Sequence, residues 1–364
     1  MRHALILAGG SGVRLWPMSR RAKPKQLIPF IGGRSLLQLA MARLDGLIPP
    51  ERCYVCAGLE HREAVLAALP DLGSDRFLGE PAGRDTLNAV GFSAAVIGAR
   101  DPEAAIAVFT ADHLIRPEGR FREIVAQGYQ LVEESPETLV TFGVEPTFPS
   151  TGYGYLQLGR VLNSVARKVE AFREKPDAAA ARAYFDAGPG SYLWNSGMFV
   201  WRARTVLDCI RRYRPENHRG LSRIAEAWGS PDQESVVADV YASLEKISVD
   251  YAVMEPASRD SSVGVAAIPM NLDWMDVGSW LTFAQTCPAD NRGNALAAER
   301  RVLEETSDTL VASSDPGHLI AVMGCEGLVV VHTPDATLVC RKDQAEAVRY
   351  LQQKAAELFG REYQ

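Results

Sequence analysis

At 364 residues, 47% of them hydrophobic and 23% charged, the chain has enough apolar content to bury a full core, which excludes a disordered polypeptide. Its length suits a large domain with a smaller one attached. A formal net charge of −6 excludes broad electrostatic attraction to nucleic acid or to an anionic membrane, while leaving room for a few Arg and Lys residues to hold a phosphate ligand locally.

In chain order, His3 to Ala8 reads as a buried strand that runs straight into a glycine loop, not as a signal peptide, and no apolar run approaches the roughly 18 residues of a spanning helix. Ser35 opens a helix with Gln38 three residues on, a capping-box pattern, and Leu36, Leu39, Ala40, Leu44 and Leu47 share its face. Arg52 to Ala57 is the next strand. Within it, Cys53 and Cys56 have the spacing of a zinc or redox site, but no second Cys or His pair lies nearby, so packed thiols are expected. The six cysteines, Cys53, Cys56, Cys209, Cys287, Cys325 and Cys340, form no secreted disulfide framework and point to the cytoplasm.

Helical stretches around His61 to Leu69 and Asn88 to Ala99 lead to a buried strand, Ala104 to Thr110. Strand-like runs follow at Thr138 to Gly143, Val165 to Phe172, Tyr192 to Trp201 and Val263 to Pro269, with helical segments between them. This alternation implies an α/β fold with a Rossmann-like, mostly parallel mixed sheet. The polar, turn-rich stretch Pro288 to Asn294 marks a boundary between residues 1–287 and a small β-rich C-terminal domain, 288–364. In the latter, strands are expected at Leu310 to Ser313, Leu319 to Met323, Leu328 to His332 and Thr337 to Cys340. A final helix, capped by Asp343, carries Ala345, Val348, Leu351, Ala355 and Leu358 on one face. No internal repeat of fixed period is visible.

The segment Leu7-Ala8-Gly9-Gly10-Ser11-Gly12-Val13-Arg14 follows the first strand directly, where open α/β sheets bind ligands. Glycines there let backbone N–H groups approach a polyphosphate, Arg14 adds a bidentate cation, and Lys25 follows on a proline-stiffened loop. Composition alone leaves an ordinary strand-to-helix turn equally open. The G-x-x-x-x-G-K-[ST] and G-x-G-x-x-G patterns are both missing from the loop, so kinase and dehydrogenase readings lose their main support.

Leu7 through Arg20 with Pro24-Lys25-Gln26 resembles the signature of sugar-phosphate nucleotidyltransferases, and its L-W-P-M-S-R and P-K-Q wording is closest to mannose-1-phosphate guanylyltransferases. The resemblance implies a nucleotidyltransferase fold and the formation of GDP-mannose and pyrophosphate from GTP and mannose 1-phosphate. It assigns Arg14 and Lys25 to catalysis; Leu7, Ala8, Gly9, Gly10, Gly12, Arg84, Asp85 and Thr86 to the nucleotide; and Asp112 and Asp276 to Mg²⁺. His113 is expected to be only a neighbour. The Phe172 to Pro176 box resembles the family's F-x-E-K-P, which implies Glu174 for sugar hydroxyls and Lys175 for the sugar phosphate. Gly152 and Asn195 complete that pocket by resemblance, and Glu255 of the Ser248 to Glu255 stretch is a further candidate.

One segment departs from the family pattern, with Asp85 in place of Asn and Leu87-Asn88 in place of Ala-Pro. An ionised Asp only accepts hydrogen bonds, which suits guanine donors but cannot reproduce every contact of an Asn. Two alternatives follow: the same reaction on another hexose 1-phosphate or nucleoside triphosphate, and a non-catalytic nucleotide-sugar sensor. A homodimer is implied only by the resemblance, with no nucleic-acid or membrane partner. The chain is shorter than bifunctional relatives with an isomerase domain, so transferase activity alone is expected.

Overall fold

The computed structural model describes residues 1–10, 12–29 and 31–364; Ser11, inside the glycine loop, and Phe30 lie outside them. The chain forms two compact units. The first comprises Met1–Gly9, Ala40–Ala111 and Ile115–Trp274, and the second comprises Gly10–Leu39, Asp112–Leu114 and Met275–Gln364.

The first eleven strands are β1 (Arg2–Leu7), β2 (Cys53–Gly58), β3 (Phe77–Glu80), β4 (Ala105–Thr110), β5 (His113–Arg116), β6 (Thr138–Val144), β7 (Tyr155–Val161), β8 (Arg167–Arg173), β9 (Tyr192–Arg202), β10 (Gly264–Pro269) and β11 (Asp273–Asp276). Nine of them make one sheet in the order β3-β2-β1-β4-β9-β6-β10-β8-β7, and β5 pairs with β11 in a separate ladder. The β3-β2-β1-β4 half is parallel throughout. Its central strand reads as an unbroken apolar run because helices cover both faces of such a sheet, and Ala4, Leu5 and Ile6 are completely buried. Register puts Leu7 beside Cys56 and Thr110, so the glycine loop leaves from the carboxyl edge of the parallel half.

Antiparallel pairing begins at β9, which is long enough at 11 residues to serve β4, β6 and β7 in turn. The expected strands all form within one or two residues of their predicted ends. Edge strand β7 escaped the sequence reading, since only its first two residues are buried and no alternation follows them. The helix Asp85–Arg100 is buried along Leu87 to Ile97, and its first turn begins three residues earlier than predicted.

The second unit carries β12 (Ala295–Ala297), β13 (Arg300–Glu304), β14 (Leu310–Ser313), β15 (Leu319–Met323), β16 (Leu328–Thr333) and β17 (Ala336–Arg341). They stack as parallel coils: β12, β14 and β16 form one ladder closed by antiparallel β17, and β13 pairs with β15 on another face. This is a β-helix-like extension. Ala295 lies beside Leu310, and Leu310 beside Val329, so successive coils differ in length and leave no fixed sequence period. Leu15, Trp16 and Met18 join Val277, Trp280, Leu310 and Val329 in this unit's core, and Trp280 Nε1–H donates to the Trp16 carbonyl at 2.9 Å.

The predicted Asp343 cap does not form. The α-helix runs Val348–Phe359 without a side-chain cap, and Asp343 lies in a 3-10 turn with both carboxylate oxygens turned to Arg341, a guanidinium two residues away that competes successfully for them. Ala345 and Val348 are buried as expected, but Leu351 and Leu358 stay exposed. No helix among the described residues is long and apolar enough to cross a membrane.

Candidate active site

In the second unit, the segment after the glycine loop, Asp112 just before β5 and Asp276 at the end of β11 supply one cluster. Lys25 Nζ lies 2.8 Å from Asp112 Oδ2 and 3.8 Å from Asp276 Oδ1, and donates to the Val277 carbonyl at 3.1 Å. The Val277 N–H in turn donates to the Asp112 carbonyl at 3.0 Å, which ties the two acids' segments together through the backbone. Lys25 is almost fully buried, at 9% exposure of its side chain, so these contacts act with little screening by water. Burial alone would raise the Asp112 carboxyl, but Lys25 and then His113 overcome that and hold it below the usual carboxylate range.

Gly12 bends the loop onto Lys25. Its φ of +59° lies in the left-handed region, and a Cβ there would stand 2.9 Å from Lys25 Cβ, so only glycine allows this approach. Gly10 also has positive φ, at +102°. Arg14 reaches the same neighbourhood: a Cβ built on Gly278 would lie 3.0 Å from Arg14 Nη2 and 3.4 Å from both Asp276 oxygens. The guanidinium is half-exposed and 3.3 Å from Glu346.

Asp112, His113 and Asp276 each turn one ligand atom into a group whose members lie within 4.8 Å of one another. His113, expected only as a neighbour, has Nε2 3.8 Å from Asp112 Oδ1. Asp276 Oδ1 is buried without a hydrogen-bond partner among the described residues. An orphaned carboxylate oxygen facing a second carboxylate fits a hard divalent cation that takes oxygen ligands, and Mg²⁺ is one such ion.

The first unit holds the other candidates. Leu7 ends β1, the Ala8 N–H donates to the Cys56 carbonyl at 2.8 Å, and a Cβ on Gly9 would lie 3.9 Å from Glu80 Oε2. Glu80 is buried and accepts from Tyr241 O–H at 2.6 Å; burial pushes its carboxyl up to about 6 in spite of that bond. Arg84 donates to the Ala242 carbonyl. Asp85 has φ of +65° and accepts the Thr86 N–H at 2.8 Å. Left-handed backbone favours Asn and Asp alike, so the departure from the family pattern at this position is conformationally neutral. Thr86 Oγ1 accepts the Val249 N–H at 2.9 Å.

At the end of β8, Glu174 and Lys175 pair at 2.7 Å, with Glu174 buried and Lys175 exposed. Burial works against the Lys175 charge, but the Glu174 carboxylate outweighs it and raises the ammonium above its ordinary range. Lys175 has φ of +43°, a strained backbone for a side chain of this size, of the kind that gathers at functional positions. On β9, Asn195 accepts from Thr141 Oγ1 at 2.8 Å and donates through Nδ2 to Asp250 Oδ1 at 2.9 Å. Gly152 N–H donates to Ser150 Oγ at 3.1 Å. Glu255 is engaged by Arg259 and lies 3.8 Å from Arg173.

Sequence reasoning passed over Asp250, which lies five residues before the Glu255 it favoured. The signal available was Asp250 beside Tyr251 in an otherwise apolar turn, and it reads equally well as a helix start. Cys53 and Cys56 are packed thiols, as expected: they sit three apart on a strand, hence on opposite faces, and burial pushes Cys53 up to about 11 and Cys56 well above its ordinary value. All six cysteines are free.

Comparisons with known proteins agree with this architecture. Residues 3–293 match the family described as Nucleotidyl transferase, and residues 299–354 match the MannoseP isomerase/GMP-like beta-helix domain. A mannose-1-phosphate guanylyltransferase of Klebsiella pneumoniae is 37% identical over 95% of this chain and 72% of its own. One from Escherichia coli is 36% identical over the same shares. A solved structure from Thermus thermophilus, described as a mannose-1-phosphate geranyltransferase, is 34% identical, covers 97% of this chain and 98% of its own, and superposes with a TM-score of 0.84. On the matched residues and the shared fold, the chain belongs to the nucleotidyl transferase family and is a nucleotidyltransferase.

Proposed function

We propose that the protein forms GDP-mannose and pyrophosphate from GTP and mannose 1-phosphate. The names of the relatives above support the substrates. The observation that carries the chemistry is the convergence of Asp112 and Asp276 on Lys25, in the unit that also holds Gly10, Gly12 and Arg14.

In this reading a phosphate oxygen of mannose 1-phosphate attacks the α-phosphorus of GTP; the new P–O bond forms as the bond to pyrophosphate breaks. The attacking oxygen is already anionic near neutral pH, so the protein supplies charge and position and needs no general base. Arg14 and Lys25 balance the charge of the triphosphate, while Gly10 and Gly12 keep side chains out of its way. Leu7, Ala8, Gly9, Arg84, Asp85 and Thr86 form the nucleoside end, where Asp85 can accept from guanine N1–H and N2–H₂. Glu174, Lys175, Asn195, Gly152 and Glu255 serve the sugar phosphate. Asp112 and Asp276 would hold Mg²⁺, which when bound neutralises developing charge on the phosphates.

We further propose that residues 1–287 carry the transfer chemistry with 288–364 as its extension. The free cysteines and the acidic charge balance support a cytoplasmic protein, and the resemblance supports a homodimer. Pyrophosphate release with a panel of triphosphates and hexose 1-phosphates, with and without Mg²⁺, tests the assignment. GTP with mannose 1-phosphate and Mg²⁺ should give the highest kcat/KM. A higher value for another pair would move the protein to that substrate, and binding without turnover would make it a sensor.

A further inference from the structure

Asp250 is a carboxyl that the reaction described above leaves unused. It opens a π-helical turn, Asp250–Met254, on which the helices Asp85–Arg100 and Ala203–Tyr213 pack. The turn is pinned at its start, where Thr86 Oγ1 accepts the Val249 N–H and Ser248 Oγ accepts the Tyr251 N–H at 3.3 Å. One oxygen, Oδ1, is occupied by Asn195 Nδ2 at 2.9 Å, and Asn195 is itself fixed from behind by Thr141 Oγ1 at 2.8 Å. A carboxyl whose Oδ1 is held through two buried strands, and which also accepts from its own backbone N–H, is fixed in orientation toward the charged groups at the end of β8.

The charged groups facing it are Glu174 and Lys175 at the end of β8; Asn195 on β9 is neutral, and Tyr251 follows it in its own turn. Two carboxyls and one ammonium therefore surround a place meant to receive a phosphate monoester. With both carboxyls ionised that place is net negative; with Asp250 protonated it is neutral, and Asp250 gains a hydroxyl donor.

We propose that Asp250 is a specificity-determining residue of the sugar-phosphate pocket, its Oδ2 exchanging a hydrogen bond with a hydroxyl of the hexose 1-phosphate while Asn195 holds its Oδ1. The inference rests on the reading of Glu174, Lys175 and Asn195 as that pocket. Burial, then the Glu174 charge, push the Asp250 carboxyl up to about 7, so it changes charge in the working range. Affinity for the dianionic sugar phosphate is then greatest with Asp250 protonated and weakens as pH rises through about 7. Asn at this position presents the same acceptor to Asn195 and a permanent donor to the sugar.

The test is steady-state kinetics of the full chain with GTP, mannose 1-phosphate and Mg²⁺ from pH 6 to 8.5. Asp250→Ala should raise KM for the sugar phosphate about tenfold, the cost of one lost hydrogen bond, leaving KM for GTP within twofold. Asp250→Asn should restore the sugar-phosphate KM near pH 6.5. Relative to wild type it should also flatten the pH dependence; ionisation of the sugar phosphate itself is common to both enzymes and cancels. An unchanged sugar-phosphate KM in Asp250→Ala, or a wild-type pH profile in Asp250→Asn, overturns the role of Asp250 while leaving the reaction in place. Failure of the wild type to turn over any hexose 1-phosphate sinks the proposed reaction and this role together.

Discussion

Lys25 is the residue on which the cluster in the second unit turns. It is nearly buried, yet it makes two ion pairs and one carbonyl hydrogen bond, so its desolvation is compensated by fixed partners. Removing it would take away the one ammonium that pairs with both Asp112 and Asp276 among the described residues. Lys25→Ala is expected to lower turnover at saturating Mg²⁺ by at least about a hundredfold, the scale of losing one charge-stabilising donor, with the far-UV circular dichroism of the wild type. Near-normal turnover in that variant would remove the assignment of Lys25. The residue types here were legible as a motif, because glycines and cations grouped within a short segment stand out in the sequence whatever they bind. Asp250 was not legible, since a carboxylate at the start of a turn has the same local signature whether it caps a helix or faces a ligand; only the side chain of Asn195, 55 residues away, distinguishes the two.

Among the elements, the short strand β3 ends on a buried acid that the fold tolerates at a cost. Glu80 is held at about 6, above its ordinary value of 4.5, because burial outweighs the Tyr241 hydrogen bond. A group raised in this way adds stability in full below its unfolded value, and that stability is lost as pH rises through the folded value. In Glu80→Gln the group no longer titrates and Tyr241 keeps an acceptor. The unfolding free energy of the variant relative to wild type should therefore grow by about 2 kcal/mol from pH 4.5 to 7.5. Urea titrations at the two pH values measure it, and a difference that shrinks with pH contradicts the burial argument. Burial on both faces also made some elements easy to read. Strands β1, β2 and β4 are buried on both faces and read as plain apolar runs, whereas β7, β12 and β13 are short or exposed and carry no period of their own.

Across the full chain, sequence order and compactness divide differently. The segment Gly10–Leu39 folds with Met275–Gln364: Trp16 Nε1–H donates to the Tyr363 carbonyl at 2.9 Å, Arg20 pairs with Asp335 at 3.1 Å, and Leu15, Trp16 and Met18 pack on the coils. A fragment ending at Cys287 keeps every residue proposed for the chemistry but loses Leu310, Val329, Val331 and Leu338 from beneath Trp16 and Trp280. It should show red-shifted tryptophan emission, rapid proteolysis within residues 10–39, and turnover below about 1% of the full chain, since the loop's positioning would be lost. A fragment as active as the full chain would show that the loop is held without the coils.

Local patterning was enough for the parallel half-sheet, the glycine loop after β1 and the β-rich extension, and motif resemblance for the family, because each depends on residues close together in the chain: an apolar run, three glycines with a cation, a motif. The resemblance also assigned Asp112 and Asp276 to one metal ion. The folded chain was needed to show that Lys25 lies between those acids, that the loop's downstream segment packs on the C-terminal coils, and that Asp250 faces Asn195. Those facts depend on contacts between residues tens to hundreds of positions apart, made by burial and backbone pairing, and neither leaves a local period to read.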